Sequence, residues 1–387
     1  MASRTQKVYQ RVTDTLLILH DSPDFGGHER MLLALLPGLI ASRRFDRIAF
    51  TVPRSNVRLA AALAPLAPDV VVIACDNLKR RAEPYLRFVR FGYQRVVARL
   101  IASERPSTIL LVQGRIENLA SALWALPRNV RVISYIPMAH SMRAMGRSGL
   151  IGDRIRRALY RRPDSYVVPS NAVARQLRTH GVTVPIAVAH NTVAPPPRTD
   201  RAQARRDLGL PSGRRLALVL GRLDIAQKGI DRLFTAIERT GPEQLANWSF
   251  VLVGDGPGRA IVDAATARLP TGTVLSVPWT DRPDLYLSAA DILVMPSRWE
   301  GMPLSMLEAI AYNLPVLASR IDAFCDFLPP EQITDFERDD LAVALARAVD
   351  PARRTSLAAA AENRVAPLTL EHAHAAFVGA FVPDHDA

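Results

Sequence analysis

Two carboxylates stand eight residues apart in the stretch DILVMPSRWEGMPLSMLEAIAYNLPVLAS, at Glu300 and Glu308. The apolar run DILVM suits a buried parallel strand, PSRWEGMP breaks it, LSMLEAIAY has helical spacing, and PVLAS is a second buried strand. Glu300 therefore falls in a loop beyond a strand's carboxyl end, and Glu308 about one turn into the helix that follows. In an open α/β sheet that edge is where ligands bind. Taken alone, each acid also reads as an ordinary helix residue favoured by the dipole or by water. Two cations, Arg222 and Lys228, occupy a second strand-loop-helix unit, RLALVLGRLDIAQKGIDRLFTAI. An arginine fork can grip two phosphate oxygens, and a lysine supplies a compact point charge. Only three of the 49 cations are lysine, so a lysine in this loop reflects local chemistry rather than coding bias. His140 follows the strand VISYI, three residues before Arg143, again at a carboxyl end. Near the amino end, Gly26 and Gly27 sit where the first strand, TLLILH, gives way to a helix from about Glu29 to Ser42. A glycine pair there lets a ligand approach backbone N–H groups at a helix start, or simply makes a turn.

The elements that must position these residues alternate along the chain. RIAFTV, VVVIA and TILLVQG follow the first strand, separated by helical stretches, and the alternation argues for a parallel, doubly wound sheet. SYVVPSNAVARQL gives a strand and a helix starting at Ser170. VAPPPRTD reads as a stiff linker, and a second run of strands and helices begins near Leu216. Asn313 stands where the helix carrying Glu308 must end, and asparagine tolerates the left-handed cap. The segment FVLVGDGPGRA holds Gly254, Asp255 and Gly256. It reads G-x-G-x-G, without the spacing or the strand-end acid of a dinucleotide fingerprint. Asp339-Asp340 marks the start of a late helix, and the stretch through His372, His374 and Phe377 reads as a last one. At 387 residues, two domains are expected: 1–195, 196–365, and a terminal helix and tail over 366–387.

Composition sets the remaining bounds. The chain is 49% hydrophobic, as globular proteins are, and no run suits a membrane span. The first apolar run is too short for a signal peptide, and Cys75 and Cys325 form neither a disulfide framework nor a metal pattern. A cytoplasmic setting is the expectation. The net charge is +12, unevenly spread: residues 1–195 hold 29 Arg/Lys against 12 Asp/Glu, and the remainder hold 20 against 25. Such asymmetry points to an anionic partner for the first half. In KRRAEPYLRFVRFGYQRVVARLI (79–101), Tyr85, Leu86, Val89, Tyr93, Val96, Val97 and Leu100 share one helical face. Arg87, Arg90, Arg95 and Arg99 lie around the other, with Phe88 and Phe91 among them, which suits either a covered surface helix or one resting on anionic lipid. A second arginine-rich helix spans about Leu150 to Arg162.

The 291–319 stretch resembles the signature of the retaining glycosyltransferases of family 4: PS at 296–297, EG at 300–301, Pro303, EA at 308–309, Ala311 and PV at 315–316. Only the usual glycine is replaced, by Asn313. GGHER resembles the family's GG-x-E segment, the Arg222–Lys228 loop its G-R-x(5)-K-G, and VGDGP its segment near the nucleotide base. The chain departs at Asn191-Thr192, where Asn-Gly is usual. It departs again at Pro278-Trp279 and at IDAFCDFLPP, which replaces a Gly-Gly-x-x-Glu segment. The resemblance covers nearly all of residues 14–350.

What the resemblance implies is a GT-B architecture, two Rossmann-like domains facing across a cleft with a last helix crossing back to the first. The second domain would bind a nucleoside diphosphate sugar and the first an acceptor, a glycan or a lipid-linked sugar in cell-surface polysaccharide or lipopolysaccharide assembly. Transfer would retain configuration without metal or other cofactor. Arg222 and Lys228 would hold the diphosphate, Glu300 the sugar hydroxyls and Glu308 the ribose. Gly26, Gly27, Gly254, Asp255, Gly256, Gly301, Met302, Pro303 and Leu304 would complete the donor site. His140, with Arg143 on the acceptor side, would lie at the reacting face. The charge of the first domain suggests peripheral contact with the inner face of a membrane. A nucleotide-sugar isomerase of the same fold and a noncatalytic sugar-nucleotide binder remain open. Nucleic-acid binding would account for the basic half but not for Glu300, Glu308 and Lys228 together.

Overall fold

The computed structural model describes residues 14–76, 91–116, 122–123, 126–145, 149–194 and 197–382. Two all-parallel sheets organise the chain. The first has seven strands: β1 (Thr15–His20), β2 (Arg47–Pro53), β3 (Val70–Cys75), β4 (Thr108–Val112), β5 (Arg131–Tyr135), β6 (Ser165–Val168) and β7 (Ile186–Val188), in the order β3-β2-β1-β4-β5-β6-β7. The second has six: β8 (Arg215–Leu220), β9 (Trp248–Val253), β10 (Val274–Val277), β11 (Ile292–Met295), β12 (Val316–Ser319) and β13 (Ile333–Thr334), in the order β10-β9-β8-β11-β12-β13. The order reverses between β1 and β4 in one sheet and between β8 and β11 in the other. Such switch points open a crevice at the strands' carboxyl ends, and both sheets turn that edge towards the same cleft.

The central strands are continuous apolar runs because helices cover both faces. In the first domain β1 is buried throughout. Its flanking helices include α1 (Gly27–Ala41), α2 (Val57–Leu63), α3 (Phe91–Glu104), α4 (Leu150–Tyr160) and α5 (Asn171–Thr179). Ser170 caps α5 by accepting from Val173 N–H at 3.3 Å, as its sequence position suggests. In the second domain α6 (Ile230–Thr240), α7 (Leu304–Ala311) and α8 (Asp322–Cys325) matter most for the site. Asn313 has φ 54°, the left-handed geometry expected after α7, and Asp340 caps a late helix through Val343 N–H at 2.9 Å.

The last helix, α9 (Leu370–Gly379), packs on α1 in the first domain. Its Ala373 and Phe377, with Phe381 just beyond, belong to the same buried cluster as Leu32, Leu36 and Tyr135. Two polar locks fix it: His374 Nε2 donates to Ala34 O at 2.7 Å, and Arg131 reaches the carbonyls of Phe381 (2.7 Å), Ala380 (3.1 Å) and Val382 (3.2 Å). A guanidinium thus satisfies the carbonyl of the C-cap residue and those of the two residues after it. Two expectations fall partly outside the described residues. Phe88 and the side chain of Phe91 are among these, so the aromatic reading of 79–101 rests on sequence alone; α3 itself buries Tyr93 and Val97 and exposes Arg95 and Arg99. The linker prolines at 195 and 196 are likewise outside them.

Because Phe377 is fully buried in the first-domain core, Phe377→Ala should destabilise that domain by about 3–5 kcal/mol. Denaturant unfolding followed by circular dichroism will read it. A loss near zero would mean that α9 docks without contributing to the core.

Candidate active site

The site is built on the loop between β11 and α7. Pro296 ends β11, and Pro303 takes the extended conformation before α7 begins at Leu304. Between them Trp299, Glu300, Gly301 and Met302 are all buried. The Glu300 side chain is nearly closed off from water, and its Oε1 accepts from Lys228 Nζ at 2.7 Å and from Ser297 Oγ at 2.9 Å. Lys228 ends a short helix, Ile225–Lys228, capped by Asp224. Arg222 stands beyond β8 and bridges Asp224 at 3.0 Å, with Gln227 Oε1 at 3.3 Å. Arg222, Lys228, Gly221, Pro296 and Ser297 line one small indentation at the carboxyl edge of the second sheet. Both cations are thus satisfied by the protein's own acids.

The first domain clasps this loop through its backbone. His140 Nε2 donates to Glu300 O at 3.1 Å, Ser170 Oγ to Gly301 O at 3.0 Å, and Asn191 Nδ2 to Met302 O at 2.6 Å. Three consecutive carbonyls of one domain are therefore held by three side chains of the other. Position 301 must be glycine for this approach, since a Cβ there would lie 1.7 Å from Pro137 O. Burial holds the His140 imidazole below its ordinary pKa, against the pull of the Glu300 carbonyl. The ring is therefore neutral near pH 7, and the bond to Glu300 O places its proton on Nε2. Arg143 lies exposed on the turn just after it.

The amino-terminal loop makes the other wall. Gly27 lies against Leu304 of α7, its hypothetical Cβ 3.3 Å from Leu304 Cδ1. The N–H of Gly26 is not open to a ligand as the glycine pair alone suggests: it donates to Glu29 Oε2 at 2.8 Å, the carboxylate folding back as in a capping box. Glu29 Oε1 bonds His20 Nε2 at 3.2 Å. Burial pushes the Glu29 carboxyl up, but the bond to His20 and the charges of His28 and His20 outweigh it and hold it at about 2. His28 stacks on Tyr135 with ring centroids 4.5 Å apart, and burial lowers its pKa to about 4 despite neighbouring Glu29.

Glu308, one turn into α7, pairs with Arg30 of α1 at 3.5 Å across the cleft. Burial raises the Glu308 pKa, and Arg30 opposes the rise. At the far edge Arg58 of α2 stacks over Trp279, 4.5 Å from the ring centroid. The backbone N–H of Trp279 donates to Asp255 Oδ2 at 2.8 Å, a bond that, with Arg259, holds the Asp255 carboxyl below its usual range. The glycines beside Asp255 have a packing reason: at Gly254, with φ 148°, a Cβ would lie 1.9 Å from Gly221 O. They let the β9 loop press on the loop that carries Arg222.

The structure thus gathers Arg222, Lys228, Glu300, Gly301, Met302, Pro303, Leu304, His140 and Gly27 around one cleft. Glu308 and the 254–256 loop adjoin it, and Arg143 is exposed on the turn after His140. Sequence reasoning missed Arg30, Arg58, Trp279, Ser170 and Asn191 as cross-domain partners. Arg30 had a signal: a cation near a helix start opposes the dipole and needs another reason. Ser170 was legible only as a cap, and Asn191 only as a departure.

Two parallel-sheet domains meeting over a strand-end cleft define the GT-B architecture. Family models agree over most of the chain: Glycosyltransferase Family 4 matches residues 25–195 and Glycosyl transferases group 1 matches residues 214–352. The chain belongs to this family and is a glycosyltransferase. It is 28% identical over 283 residues to the lipopolysaccharide core biosynthesis mannosyltransferase LpsB of Rhizobium meliloti (strain 1021), covering 69% of this chain and 79% of that one. Over 121 residues it is 38% identical to the putative teichuronic acid biosynthesis glycosyltransferase TuaC of Bacillus subtilis (strain 168), a match spanning 31% of this chain and 28% of that protein. In fold it resembles Anabaena Alr3699/HepE in complex with UDP-glucose, with TM-score 0.72, 15% identity, and 94% and 98% of the two chains covered.

Two outcomes follow. In the unfolded chain His28 titrates near 6.5 and in the folded one at about 4, so the unfolded state binds more protons between those values. Stability contributed by neutral His28 is complete above pH 6.5 and falls as pH drops towards 4. His28→Phe, which keeps the stack on Tyr135, should flatten that acid limb in melts across the range. An unchanged limb would assign the acid sensitivity elsewhere. Second, Glu300→Gln removes the carboxylate that occupies Lys228. It should raise affinity for a bare nucleoside diphosphate by roughly tenfold, since about 1.4 kcal/mol of anion competition is relieved. Calorimetry with UDP, GDP and ADP will show it; a fall in affinity would mean that Glu300 orients Lys228 for the ligand instead.

Proposed function

We propose that this glycosyltransferase moves a sugar from a nucleoside diphosphate sugar to a glycan or lipid-linked acceptor in cell-surface polysaccharide or lipopolysaccharide assembly, with retention of configuration and without metal. The observation that carries the reading is the convergence of Arg222, Lys228 and Glu300 at one strand-end indentation, clasped by His140 of the opposite domain. The bond between the anomeric carbon and the phosphate oxygen breaks, and that oxygen leaves with the electron pair. A bond to the acceptor oxygen replaces it, and the acceptor's hydroxyl proton passes to the departing phosphate oxygen. Lys228 and Arg222 exchange their own carboxylates for the diphosphate and neutralise the charge it gains. Glu300, released from Lys228, faces the sugar hydroxyls, and Glu308 takes the ribose. His140, its Nε2–H engaged by Glu300 O, offers Nδ1 to a hydroxyl at the reacting face.

Support for the acceptor class comes from relatives named for lipopolysaccharide core and teichuronic acid biosynthesis and from the basic first half of the chain. The reading places the enzyme at the cytoplasmic face of a membrane, where a lipid-linked sugar is presented. No described helix is long and apolar enough to cross a membrane; the contact proposed is peripheral.

The test is incubation with a panel of UDP-, GDP- and ADP-sugars, with and without a lipid extract as acceptor, scored by released nucleotide. Release that depends on acceptor is expected for one donor, and conversion of donor without acceptor would instead indicate an isomerase. Lys228→Ala should weaken that donor by roughly tenfold to a hundredfold, the loss of one charge-assisted hydrogen bond. EDTA should leave turnover unchanged; strict dependence on a divalent ion would refute the metal-free scheme.

A further inference from the structure

We infer that α4 is the element through which the first domain lies on an anionic bilayer, with Ile151 and Ile155 entering the acyl boundary and Arg154 and Arg157 among the headgroup phosphates. The inference rests on the reading that the acceptor is lipid-linked and assigns the contact to a particular helix face. Ile151 is 75% exposed and Ile155 36%, one turn apart on the same side of the helix. Single exposed apolar residues are ordinary. Here two share a face with exposed Ala158, and Arg154, Arg157 and Arg161 are exposed around them. The only acid of the helix, Asp153, accepts from Met142 N–H at 2.7 Å, so the outward side of α4 carries no negative charge. An apolar stripe flanked along one side by exposed cations fits an anionic lipid surface, which offers acyl chains beneath phosphates.

The inner side of the same helix reaches the site. Arg156 is buried and its Nη1 donates to His140 O at 2.6 Å, with its guanidinium over the Tyr160 ring at 5.9 Å. Met142, two residues past His140, packs against Gly149 and Gly152 at the start of α4. One helix diameter, about 10 Å, therefore separates the lipid surface from the loop that holds His140. A sugar carried on a lipid phosphate need rise only that far to meet the donor.

Sedimentation with vesicles of pure phosphatidylcholine, and of phosphatidylcholine with phosphatidylglycerol in equal parts, tests this on the full chain at low and high salt. The protein should bind the anionic vesicles at low salt, release as salt screens the charge, and ignore the zwitterionic ones. The pairs Ile151→Ser with Ile155→Ser, and Arg154→Glu with Arg157→Glu, should each lower partitioning by about tenfold or more. Arg95→Glu with Arg99→Glu, on the exposed face of α3, should lower it much less. Binding of UDP, GDP or ADP, whichever the wild type takes, should be unchanged in every variant, which certifies the fold and keeps the donor site separate from docking. Wild type left in the supernatant at low salt would overturn the inference, as would a larger loss from the α3 pair than from the α4 pairs. A lipid-free dimer dissolved by Ile151→Ser would overturn it too, because a second copy would then cover this face. Vesicle binding through α4 without acceptor-dependent nucleotide release would leave docking standing and remove the transfer reading; transfer to a soluble acceptor without vesicle binding would do the reverse.

Discussion

Three consecutive peptide carbonyls, at Glu300, Gly301 and Met302, accept hydrogen bonds from His140, Ser170 and Asn191 of the other domain. Everything else at the site is arranged around that clasp. A buried carbonyl left without a donor costs free energy comparable to a lost hydrogen bond, so the loop has good reason to stay against the first domain. The clasp in turn dictates the glycine at 301, which Pro137 O approaches too closely for any side chain. It fixes the His140 tautomer, and it sets Glu300 within reach of Lys228 from a third direction. Backbone recognition also explains why Glu300 keeps its carboxylate for other partners: only its carbonyl is spent on holding the domains together.

The other cross-cleft contacts differ in kind. Arg30 with Glu308 and Arg58 with Trp279 join side chain to side chain, and Arg30 and Trp279 remain largely exposed. Exposed ion pairs and cation–π contacts contribute little individually. They sit away from the linker and from the α5–α8 contacts of Arg175 with Asp326 and Gln176 with Asp322. In the sheet order, β2 and β10 lie towards the edge farthest from β7 and β13. The strong backbone clasp and the weak outer contacts therefore describe a hinge side and a mouth, with Arg222 and Lys228 between them.

The strand-loop-helix units were legible because their patterns are local: apolar runs, proline and glycine breaks, and an asparagine that takes the left-handed cap. The two parallel sheets followed from alternation, and the paired acids and cations from the resemblance of their segments to the family's motifs. What escaped was whatever depends on two distant segments meeting. Nothing in SNAVARQL says that Ser170 will serve both Val173 N–H and a carbonyl 131 positions away. The glycine pair at 26–27 read either as an approach for an anion or as a turn, and Glu29, three residues on, takes the Gly26 N–H itself. Gly254 and Gly256 read as ligand glycines and are required by the press of the β8 loop. In each case a local signal was real, but tertiary packing supplied a reason that sequence spacing alone does not contain.

The electrostatics of the site follow from the same logic. A lysine and a carboxylate carried into a largely buried loop must find each other or lose stability, because an unpaired buried charge is far costlier than a paired one. Lys228 leans on Glu300 and Arg222 on Asp224, so the site is nearly neutral before any ligand enters. In the proposed reaction, binding an anionic diphosphate would exchange one anion for another rather than gain new charge pairing. The exchange would free Glu300 as a sugar arrives beside it and return Lys228 to Glu300 as the diphosphate leaves. A site so arranged would hold neither donor nor product with the full strength of its cations. That restraint would suit the proposed reaction, which releases a strongly charged leaving group in every cycle.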